Sequence, residues 1–393
     1  MTKAFCYREH FILVSDPVAT GHHYALTPKD IMPIFESQLL THPVESLSGQ
    51  NGQFNGTDPA AKVNVSAVYL MAAEAFDSVY GPEDRKAIAS QVKILDEVIS
   101  PQAYRASSEV WPEVEMIFSG WGMVPMDESF FRRFPKVKMV FYGAGTVRSF
   151  VTDAFWRRKV RLTNAAAANA VPVSEFTISQ ILFALKHGLQ QMWFIRKHGK
   201  FPPSYLLPGA YQTTVGLISI GRIGRLVAER LQHFDLKVIA YDPLFSPEEA
   251  ANLNVKLVSL EEVFALADVI SCHTPVLKTT ERMIQGRHFE AMKPGATFIN
   301  TARGVIVDEP EMIHVLKKRS DIYAMLDVTE PMPPVAGSPL YTLDNVMLTP
   351  HIAGSLGFEC RRMGRSMVEE LDRYLTGKAL QYEIDENRFQ TMA

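Results

Sequence analysis

The sequence has few cysteines and almost no excess of charge of either sign. Its 393 residues include only Cys6, Cys272 and Cys360, which are odd in number and far apart. This usage argues against a disulfide framework and favours reduced thiols in a cytoplasmic protein. With 43 acidic and 40 basic residues the formal net charge is −3, and no run is rich in Lys or Arg. The charge balance therefore argues against a nucleic-acid partner.

Long apolar runs and regular metal-ligand spacings are also missing. No apolar segment reaches the length of a membrane span, and the first residues are not followed by the apolar core of a signal peptide. We therefore expect neither a membrane contact nor a leader. Four histidines stand near the start without ligand spacing to a third residue, namely His10, His22, His23 and His42. Surface or packing roles are favoured for them, and no metal is expected.

Length and patterning predict two domains of the α/β class. A chain of 393 residues exceeds one ordinary core. Residues 1–62 have the weakest pattern and are predicted to be an N-terminal extension, for which a lid, an oligomer arm or an extra strand are all open. From Val63 onwards strand and helix patterns alternate. Strands are predicted at 67–71, 115–118, 137–141 and 160–163, and helices at 82–99, 127–134 and 149–159.

The second half repeats this alternation after a connecting segment. An alanine-rich connector is predicted at 164–169, and a long helix is predicted from its cap at Ser174 to Gly199. Further strands are predicted in the first half of 214–225 and at 238–242, 268–273, 296–300, 323–327 and 346–349. Ser259-Leu-Glu-Glu262 is a capping box that begins a helix between two of them. The pattern predicts a doubly wound parallel sheet in each domain, and a helical tail at 354–375 that returns to the first domain.

One segment, Thr214 to Arg225, has the pattern of a strand, a tight turn and an amphipathic helix. A dinucleotide-binding fingerprint would need glycine at 219, 221 and 224, and the chain has Ser219, Gly221 and Gly224. Asp242 follows the next predicted strand, where a carboxylate can accept hydrogen bonds from ribose hydroxyls. The alternative is a buried strand–helix turn without a ligand. A mononucleotide phosphate loop is rejected, because no Lys-Ser/Thr pair follows Gly221.

Polar residues follow three of the later strands, where a wound sheet holds its ligand. Arg303 offers a planar fork that matches a carboxylate, and His351 can exchange a proton near neutral pH. Glu330 could hold that histidine and raise its pKa. For each residue taken alone, an ordinary surface or packing role is favoured, and only the combination with a cofactor turn favours function. In the first half, the turn Tyr142-Gly-Ala-Gly-Thr146 follows a strand in the same way.

These motifs together resemble the D-isomer-specific 2-hydroxyacid dehydrogenases over roughly residues 65–375. The resemblance implies a Rossmann-like NAD-binding domain at 169–354, a flavodoxin-like substrate domain at 63–168 plus 355–393, and a cleft between them. It implies hydride transfer between NAD(H) and a small 2-oxo or 2-hydroxy acid of D configuration, and a homodimer. A different class within the resemblance is an NAD(H)-sensing corepressor that binds peptides with little turnover.

The resemblance also assigns individual residues to roles. The catalytic positions fall on Arg303, Glu330 and His351. The substrate positions fall on Gly143, Ala144, Gly145, Arg303 and His351. The cofactor positions fall on Gly221, Arg222, Ile223, Gly224, Asp242, His273, Thr274, Pro275, Thr301, Ala302, Asp327 and Gly354.

The sequence departs from the family pattern at two points. Ser219 replaces the usual first glycine, and the spacer between Asp327 and Glu330 is shorter than usual. Formate is not expected, because formate dehydrogenases of this fold have Gln at the position of Glu330, and the short tail disfavours the long phosphoglycerate dehydrogenases. If Trp121, Met123 and Met332 line the substrate pocket, they favour an apolar substituent over a phosphate; ordinary packing is the alternative.

Overall fold

The computed structural model describes residues 6–7, 10–11, 65–203 and 208–391, and the chain divides into two compact units. In the first unit, residues 1–59, strand β1 (Cys6–Tyr7) pairs with strand β2 (His10–Phe11) in antiparallel register. The remainder of the predicted extension lies outside the described residues, so its role stays open. The second unit, residues 60–393, contains two separate parallel sheets.

The first sheet has five parallel strands in the order β4-β3-β5-β6-β7. These are β3 (Ser66–Leu70), β4 (Lys93–Ile99), β5 (Val114–Ser119), β6 (Met139–Tyr142) and β7 (Arg161–Asn164). Three of the strands are apolar on both faces, as expected for a parallel sheet covered by helices on each side. The order reverses direction between β3 and β5, which is the flavodoxin-like arrangement that the sequence predicts.

The second sheet has seven parallel strands in the order β10-β9-β8-β11-β12-β13-β14. These are β8 (Thr214–Ile218), β9 (Lys237–Tyr241), β10 (Val255–Leu257), β11 (Val269–Cys272), β12 (Thr297–Asn300), β13 (Tyr323–Leu326) and β14 (Val346–Leu348). The order reverses between β8 and β11, so this sheet is Rossmann-like. Both fold predictions are confirmed, although β10 was not predicted.

Helices cover both sheets. Those around the first sheet are Ala73–Val79, Pro82–Gln91, Pro101–Ala106, Glu128–Arg133, Asp153–Arg157 and Cys360–Leu375. Those around the second are Ala166–Leu185, Gly188–His198, Arg222–Leu231, Pro247–Asn252, Leu260–Leu266, Gly286–Glu290 and Glu309–Lys318, and a last helix spans Glu386–Thr391. Short 3-10 turns occur at Gly304–Ile306, Pro339–Tyr341 and Gly357–Glu359.

The C-terminal helix returns to the first sheet, as predicted. Its residues Met363, Met367 and Leu371 are fully buried and pack in the same core as Phe118 and Phe141 of the central strands. Helix formation here follows from apolar residues spaced three and four apart along Cys360–Leu375. The chain therefore leaves the first sheet after β7, builds the second sheet, and comes back.

The predicted helix at 82–99 is wrong in its second half. The helix ends at Gln91, and Lys93–Ile99 forms strand β4, which pairs in parallel with β3. Residues 93–99 read Lys-Ile-Leu-Asp-Glu-Val-Ile, in which the two acidic residues are typical of helices. The β-branched residues at both ends supply the pairing surface, so tertiary pairing overrides the local preference.

The connecting segment also differs from its prediction. The helix begins at Ala166 rather than at Ser174, so residues 166–169 are helix and not connector, and the Ser174 hydroxyl donates to the Val171 carbonyl inside the helix. The helix breaks at His187, which has φ of 51°, before a second helix that ends at Gly199. The predicted capping box is confirmed: Ser259 Oγ accepts from Glu262 N, and Glu262 Oε2 accepts from Ser259 N.

Helix Ala166–Leu185 is long and apolar enough, by length and composition, to cross a bilayer, and half of it is buried inside the protein. Ile181, Ala184 and Leu185 pack in the same core as Val215 and Leu217 of β8. The burial therefore identifies it as a core helix of the second sheet.

Candidate active site

The predicted cofactor and catalytic residues gather at one edge of the seven-stranded sheet. In a parallel sheet all carboxyl ends lie at the same edge, and in doubly wound folds ligands bind there. Each predicted residue comes directly or within a few positions after a strand: Gly221, Arg222, Ile223 and Gly224 after β8, Asp242 after β9, His273, Thr274 and Pro275 after β11, Thr301, Ala302 and Arg303 after β12, Asp327 and Glu330 after β13, and His351 and Gly354 after β14. The fold thus brings together residues that lie up to 133 positions apart in the sequence.

The turn after β8 has the geometry of a phosphate cradle. A Cβ added to Gly221 would have no atom within 4 Å, whereas a Cβ on Gly224 would lie 2.2 Å from the Ser219 carbonyl oxygen. Gly221 therefore leaves open space at the start of helix Arg222–Leu231, and Gly224 lets that helix approach the strand. The first N–H groups of a helix attract phosphate, and no side chain caps this one. The residues present fit a dinucleotide.

Ser219 occupies the position of the first glycine of the fingerprint and adopts a glycine-like backbone conformation. Its φ is 72°, a left-handed conformation that normally favours glycine. Its N–H donates to the Tyr241 carbonyl, and its hydroxyl lies 3.1 Å from the Thr274 hydroxyl. These contacts on both sides hold the strained residue in place, so the departure from the fingerprint leaves the turn intact.

Asp242 is bound to the same turn. Its Oδ2 accepts from the Ile220 N–H at 2.7 Å, and its Oδ1 accepts from the Leu244 N–H at 2.8 Å. The carboxylate is half-buried at the end of β9, next to the open space at Gly221. A carboxylate at this point matches ribose hydroxyls and repels a 2′-phosphate.

His273 is a buried neutral group beside the cradle. Its Nε2 lies 3.1 Å from the Ser271 hydroxyl, and its Cδ2 lies 3.6 Å from the Cβ position of Gly224. Burial lowers the pKa of His273 from 6.5 to about 4, so the ring carries no charge near neutral pH. Burial likewise raises the pKa of the neighbouring Cys272 thiol, which keeps that side chain protonated and unreactive.

Arg303 lies in a turn that is held together by the Asn300 side chain. The Asn300 side chain accepts from the Ala302 N–H and donates to the Arg303 carbonyl, both at 3.0 Å. The half-buried guanidinium donates to the Ala302 carbonyl. A Cβ on Gly304 would lie 2.1 Å from the Thr329 carbonyl carbon, so only glycine lets the loop after β13 approach this turn.

Glu330 is hydrogen-bonded in this region through its backbone N–H group. Its N–H donates to the buried Glu309 carboxylate at 2.9 Å, and burial raises the pKa of Glu309. The Glu330 side chain is exposed. The predicted pairing of the Glu330 and His351 side chains stays a prediction.

The predicted substrate turn follows β6 at the edge of the other sheet. The Gly143 N–H donates to the Ser119 carbonyl and the Ala144 N–H donates to the Tyr142 carbonyl, both at 2.8 Å. A Cβ on Gly145 would meet nothing within 4 Å. Two of the three predicted amides, those of Gly143 and Ala144, are therefore used to fold the turn, and the Cβ position of Gly145 faces open space.

Four polar residues near these turns were not predicted. Three of them contact a predicted residue, and the fourth, Asn169, contacts Ser355 next to the predicted Gly354. Buried Asn164 donates to the Gly145 carbonyl at 2.6 Å, Asn169 accepts from the Ser355 N–H at 2.9 Å, and Thr177 lies 3.2 Å from the Thr301 hydroxyl. The contacts of Asn300 are described above. A polar residue at the end of an apolar strand was the available signal for Asn164 and Asn300. Nothing local marks Asn169 or Thr177, because their partners are distant in sequence.

Among the described residues no group of three His, Cys, Asp or Glu could hold a metal.

Comparison with known families gives one match to this region. The family model described as "D-isomer specific 2-hydroxyacid dehydrogenase, NAD binding domain" matches residues 179–353. These residues include all strands of the second sheet, the Gly221–Gly224 turn and the three polar segments after β12, β13 and β14.

Similar proteins with curated names are D-3-phosphoglycerate dehydrogenases. That of Archaeoglobus fulgidus is 36% identical over 220 residues, which are 56% of this chain and 42% of that protein. That of Mycobacterium tuberculosis is 33% identical over 246 residues, or 62% of this chain and 46% of that protein. The chain thus spans less than half the length of these curated relatives in the matched region.

Among solved structures, a D-lactate dehydrogenase with NAD⁺ from Lactobacillus jensenii has a TM-score of 0.67 at 23% identity, covering 82% of this chain and 100% of that one. This likeness shows the fold. The domain match adds that residues 179–353, which include the Gly221–Gly224 turn and the ordered motifs, are similar to the NAD-binding domain of the D-isomer-specific 2-hydroxyacid dehydrogenases.

Proposed function

We propose that this protein is an NAD-dependent oxidoreductase that interconverts a small 2-oxo acid and the corresponding D-2-hydroxy acid. The observation that supports this most strongly is the clustering of Arg303, Asp327 and His351 after three adjacent strands, β12, β13 and β14, at the edge that also bears the phosphate cradle. A guanidinium, a carboxylate and an imidazole beside a nicotinamide site suit the reduction of a carbonyl next to a carboxylate.

Arg303 binds the substrate in this proposal. Its planar fork matches a carboxylate, and its positive charge polarises the keto oxygen as negative charge develops there. The Gly145 amide lies in the turn after β6, where the Cβ position of Gly145 faces open space, and it adds a hydrogen bond to the carboxylate. These two contacts orient carbon 2 of the acid.

His351 moves the proton. As imidazolium it donates to the keto oxygen during reduction, and as imidazole it accepts the hydroxyl proton during oxidation. Glu330 supplies negative charge that favours the imidazolium, once closure brings the side chains together. General acid catalysis of this kind contributes about 10²–10⁴-fold.

The residues that hold the cofactor are those of the cradle. Gly221 and the first N–H groups of helix Arg222–Leu231 receive the pyrophosphate, Asp242 receives the ribose hydroxyls, and Thr274 and Thr301 border the same edge. When bound, NADH supplies the hydride for carbon 2. The domain boundaries proposed for this arrangement are 63–168 plus 355–393 for substrate and 169–354 for NAD.

We also infer a cytoplasmic homodimer. Phe183 and Met192 are exposed on the consecutive helices Ala166–Leu185 and Gly188–His198, beside the cofactor sheet. Exposed apolar side chains on neighbouring helices favour burial against a second copy. Light scattering on the purified protein should give twice the mass of one chain, and Phe183→Glu should shift it toward one chain.

The function is tested by mixing the protein with NADH and a panel of 2-oxo acids and following NADH absorbance. Steady loss with at least one acid is expected. His351→Gln should lower kcat by a factor of about 10² or more while NADH binding is kept. His314→Gln, an exposed histidine of helix Glu309–Lys318, is the matched control and should behave as wild type.

Arg303 is tested separately, because its role is in binding. Arg303→Lys keeps the charge but loses the fork, so KM for the acid should rise and kcat should fall. The exposed Arg287 serves as the control through Arg287→Lys. Tight NADH binding with no turnover on any acid would contradict the enzyme and favour a binding module.

A further inference from the structure

The five-stranded sheet has a carboxyl edge of its own, and the two segments at its switch point carry no charged side chain. Its strand order reverses between β3 and β5, and ligands of wound sheets bind outside the carboxyl ends at such a switch point. The two segments that leave these strands are residues 71–73 and residues 120–126. We call them the switch loops.

The switch loops are bonded to each other. The Ala72 N–H donates to the Trp121 carbonyl at 2.7 Å. Gly122 has φ of 88°, and a Cβ there would lie 2.8 Å from the Ala72 nitrogen. The loops therefore form one continuous surface beside the strand ends, and its position is set by backbone contacts.

The predicted substrate turn adjoins this surface. β6 is the neighbour of β5, and the Gly143 N–H donates to the carbonyl of Ser119, the last residue of β5. An acid whose carboxylate binds at Gly145 therefore has its substituent within reach of the switch loops.

No side chain of the switch loops carries a charge. They read Met-Ala-Ala and Gly-Trp-Gly-Met-Val-Pro-Met. Trp121 is half-buried and packs against the cores on both faces of the sheet, and Met123 is buried in one of them. The next residue along the chain is Glu74, which is exposed and negative. The nearest cation in sequence after β6 is Arg148, whose guanidinium donates to the carbonyls of Phe389 and Gln390.

We propose that the switch loops select 2-oxo acids with an uncharged apolar substituent, branched aliphatic or aromatic, over acids that carry a phosphate or a second carboxylate. Phosphate and carboxylate need Arg, Lys or paired donors, and an anion placed against an apolar surface is costly. An apolar substituent instead gains free energy from each methylene group that it buries against this surface. This inference rests on the proposed function and separates the chain from relatives named for phosphoglycerate.

The test compares kcat/KM with NADH for five probes: glyoxylate, 4-methyl-2-oxopentanoate, phenylpyruvate, oxaloacetate and 3-phosphohydroxypyruvate. Glyoxylate has no substituent and is the internal reference. The kcat/KM values of the apolar acids should exceed those of the two acids with a second anionic group by at least about ten-fold, which corresponds to about 1.4 kcal/mol. A preference for 3-phosphohydroxypyruvate or oxaloacetate would overturn the inference while leaving the proposed function intact.

Substitutions of Trp121 test whether the switch loops cause the preference for apolar acids. Trp121→Ala should lower the ratio of phenylpyruvate to glyoxylate several-fold, and Trp121→Phe should retain most of it. Trp156→Ala is the matched control, because Trp156 lies on helix Asp153–Arg157 and its ring packs edge-to-face against Phe389. An unchanged ratio in Trp121→Ala would remove Trp121 from the pocket. If no acid is reduced, the proposed function fails, and calorimetry of the same acids with the NADH complex still decides whether the apolar ones bind more tightly.

Discussion

The carboxylate of Asp327 holds the turn that carries His351. Asp327 Oδ1 accepts from the Thr349 hydroxyl at 2.6 Å and from the Ile352 N–H at 2.8 Å, and Oδ2 accepts from the Ala353 N–H at 3.0 Å. The carbonyl of Asp327 accepts from the His351 N–H. His351 has φ of 56°, a conformation that costs a non-glycine residue about 1–3 kcal/mol. Hydrogen bonds to residues on both sides of His351 offset that cost.

This arrangement predicts that Asp327→Asn impairs turnover more than cofactor binding. An amide keeps the size of the side chain, but its nitrogen cannot accept from Ala353. The loss of one hydrogen bond to a charged group is about 1.5–3 kcal/mol, so kcat should fall by about ten-fold or more. Steady-state kinetics and NADH fluorescence titration measure the two effects. Asp344→Asn, an exposed residue in the loop before β14, is the control. Lost NADH binding with normal kcat would instead make Asp327 a cofactor ligand.

The two glycines of the cradle should respond differently to alanine. Gly224→Ala places a methyl group 2.2 Å from the Ser219 carbonyl, so helix Arg222–Leu231 must move and the free energy of unfolding should fall by about 1–3 kcal/mol. The methyl group of Gly221→Ala meets no protein atom, so the free energy of unfolding of this variant should stay within about 0.5 kcal/mol of the wild-type value. Its methyl group enters the phosphate space, so NADH affinity should drop. Urea unfolding without NADH, followed by NADH titration, separates the two. Equal effects of both substitutions on unfolding would contradict the assignment.

Asp242 should determine the choice between NADH and NADPH. Asp242→Asn keeps one acceptor for the Ile220 N–H and removes the charge that repels a 2′-phosphate. The ratio of the NADPH to the NADH dissociation constant should fall by about ten-fold, or about 1.4 kcal/mol. Asp235→Asn changes an exposed carboxylate before the start of the same strand and should leave the ratio unaltered. Unchanged selectivity in Asp242→Asn would show that another group selects the cofactor.

His273 should make the protein less stable in mild acid. Its folded-state pKa of about 4 lies below the ordinary value of 6.5, so the unfolded chain takes up this proton first as the pH falls. The stability is complete above about pH 6.5 and is lost progressively down to about pH 4. Between pH 7 and pH 5 this corresponds to about 2 kcal/mol.

Unfolding free energies at pH 7 and pH 5 measure this contribution. Between pH 7 and pH 5 the free energy of unfolding of His273→Asn should fall by about 2 kcal/mol less than that of wild type, whatever the stability of the variant at pH 7. His314→Asn removes an exposed histidine and should follow the wild-type pH dependence. A pH dependence in His273→Asn equal to that of wild type would contradict a neutral buried ring.

The sequence by itself determined the fold class and the edge at which the site lies. Apolar strands that alternate with amphipathic helices leave few arrangements other than parallel wound sheets, and polar residues after strands such as β12 and β14 must then meet at one edge. Local signals of this kind need only neighbours along the chain. The capping box at Ser259 and the turn at Gly221 were predictable for the same reason.

Only the tertiary structure decided which groups touch. Lys93–Ile99 becomes a strand because β3 offers it a pairing edge, which no local pattern contains. Asp327 reaches the His351 turn, Asn164 reaches Gly145, and Asn169 reaches Ser355 across as many as 186 positions. Hydrogen bonds have a reach of about 3 Å and depend on direction. Their partners are therefore set by how the sheets and loops pack, which no local stretch of sequence specifies.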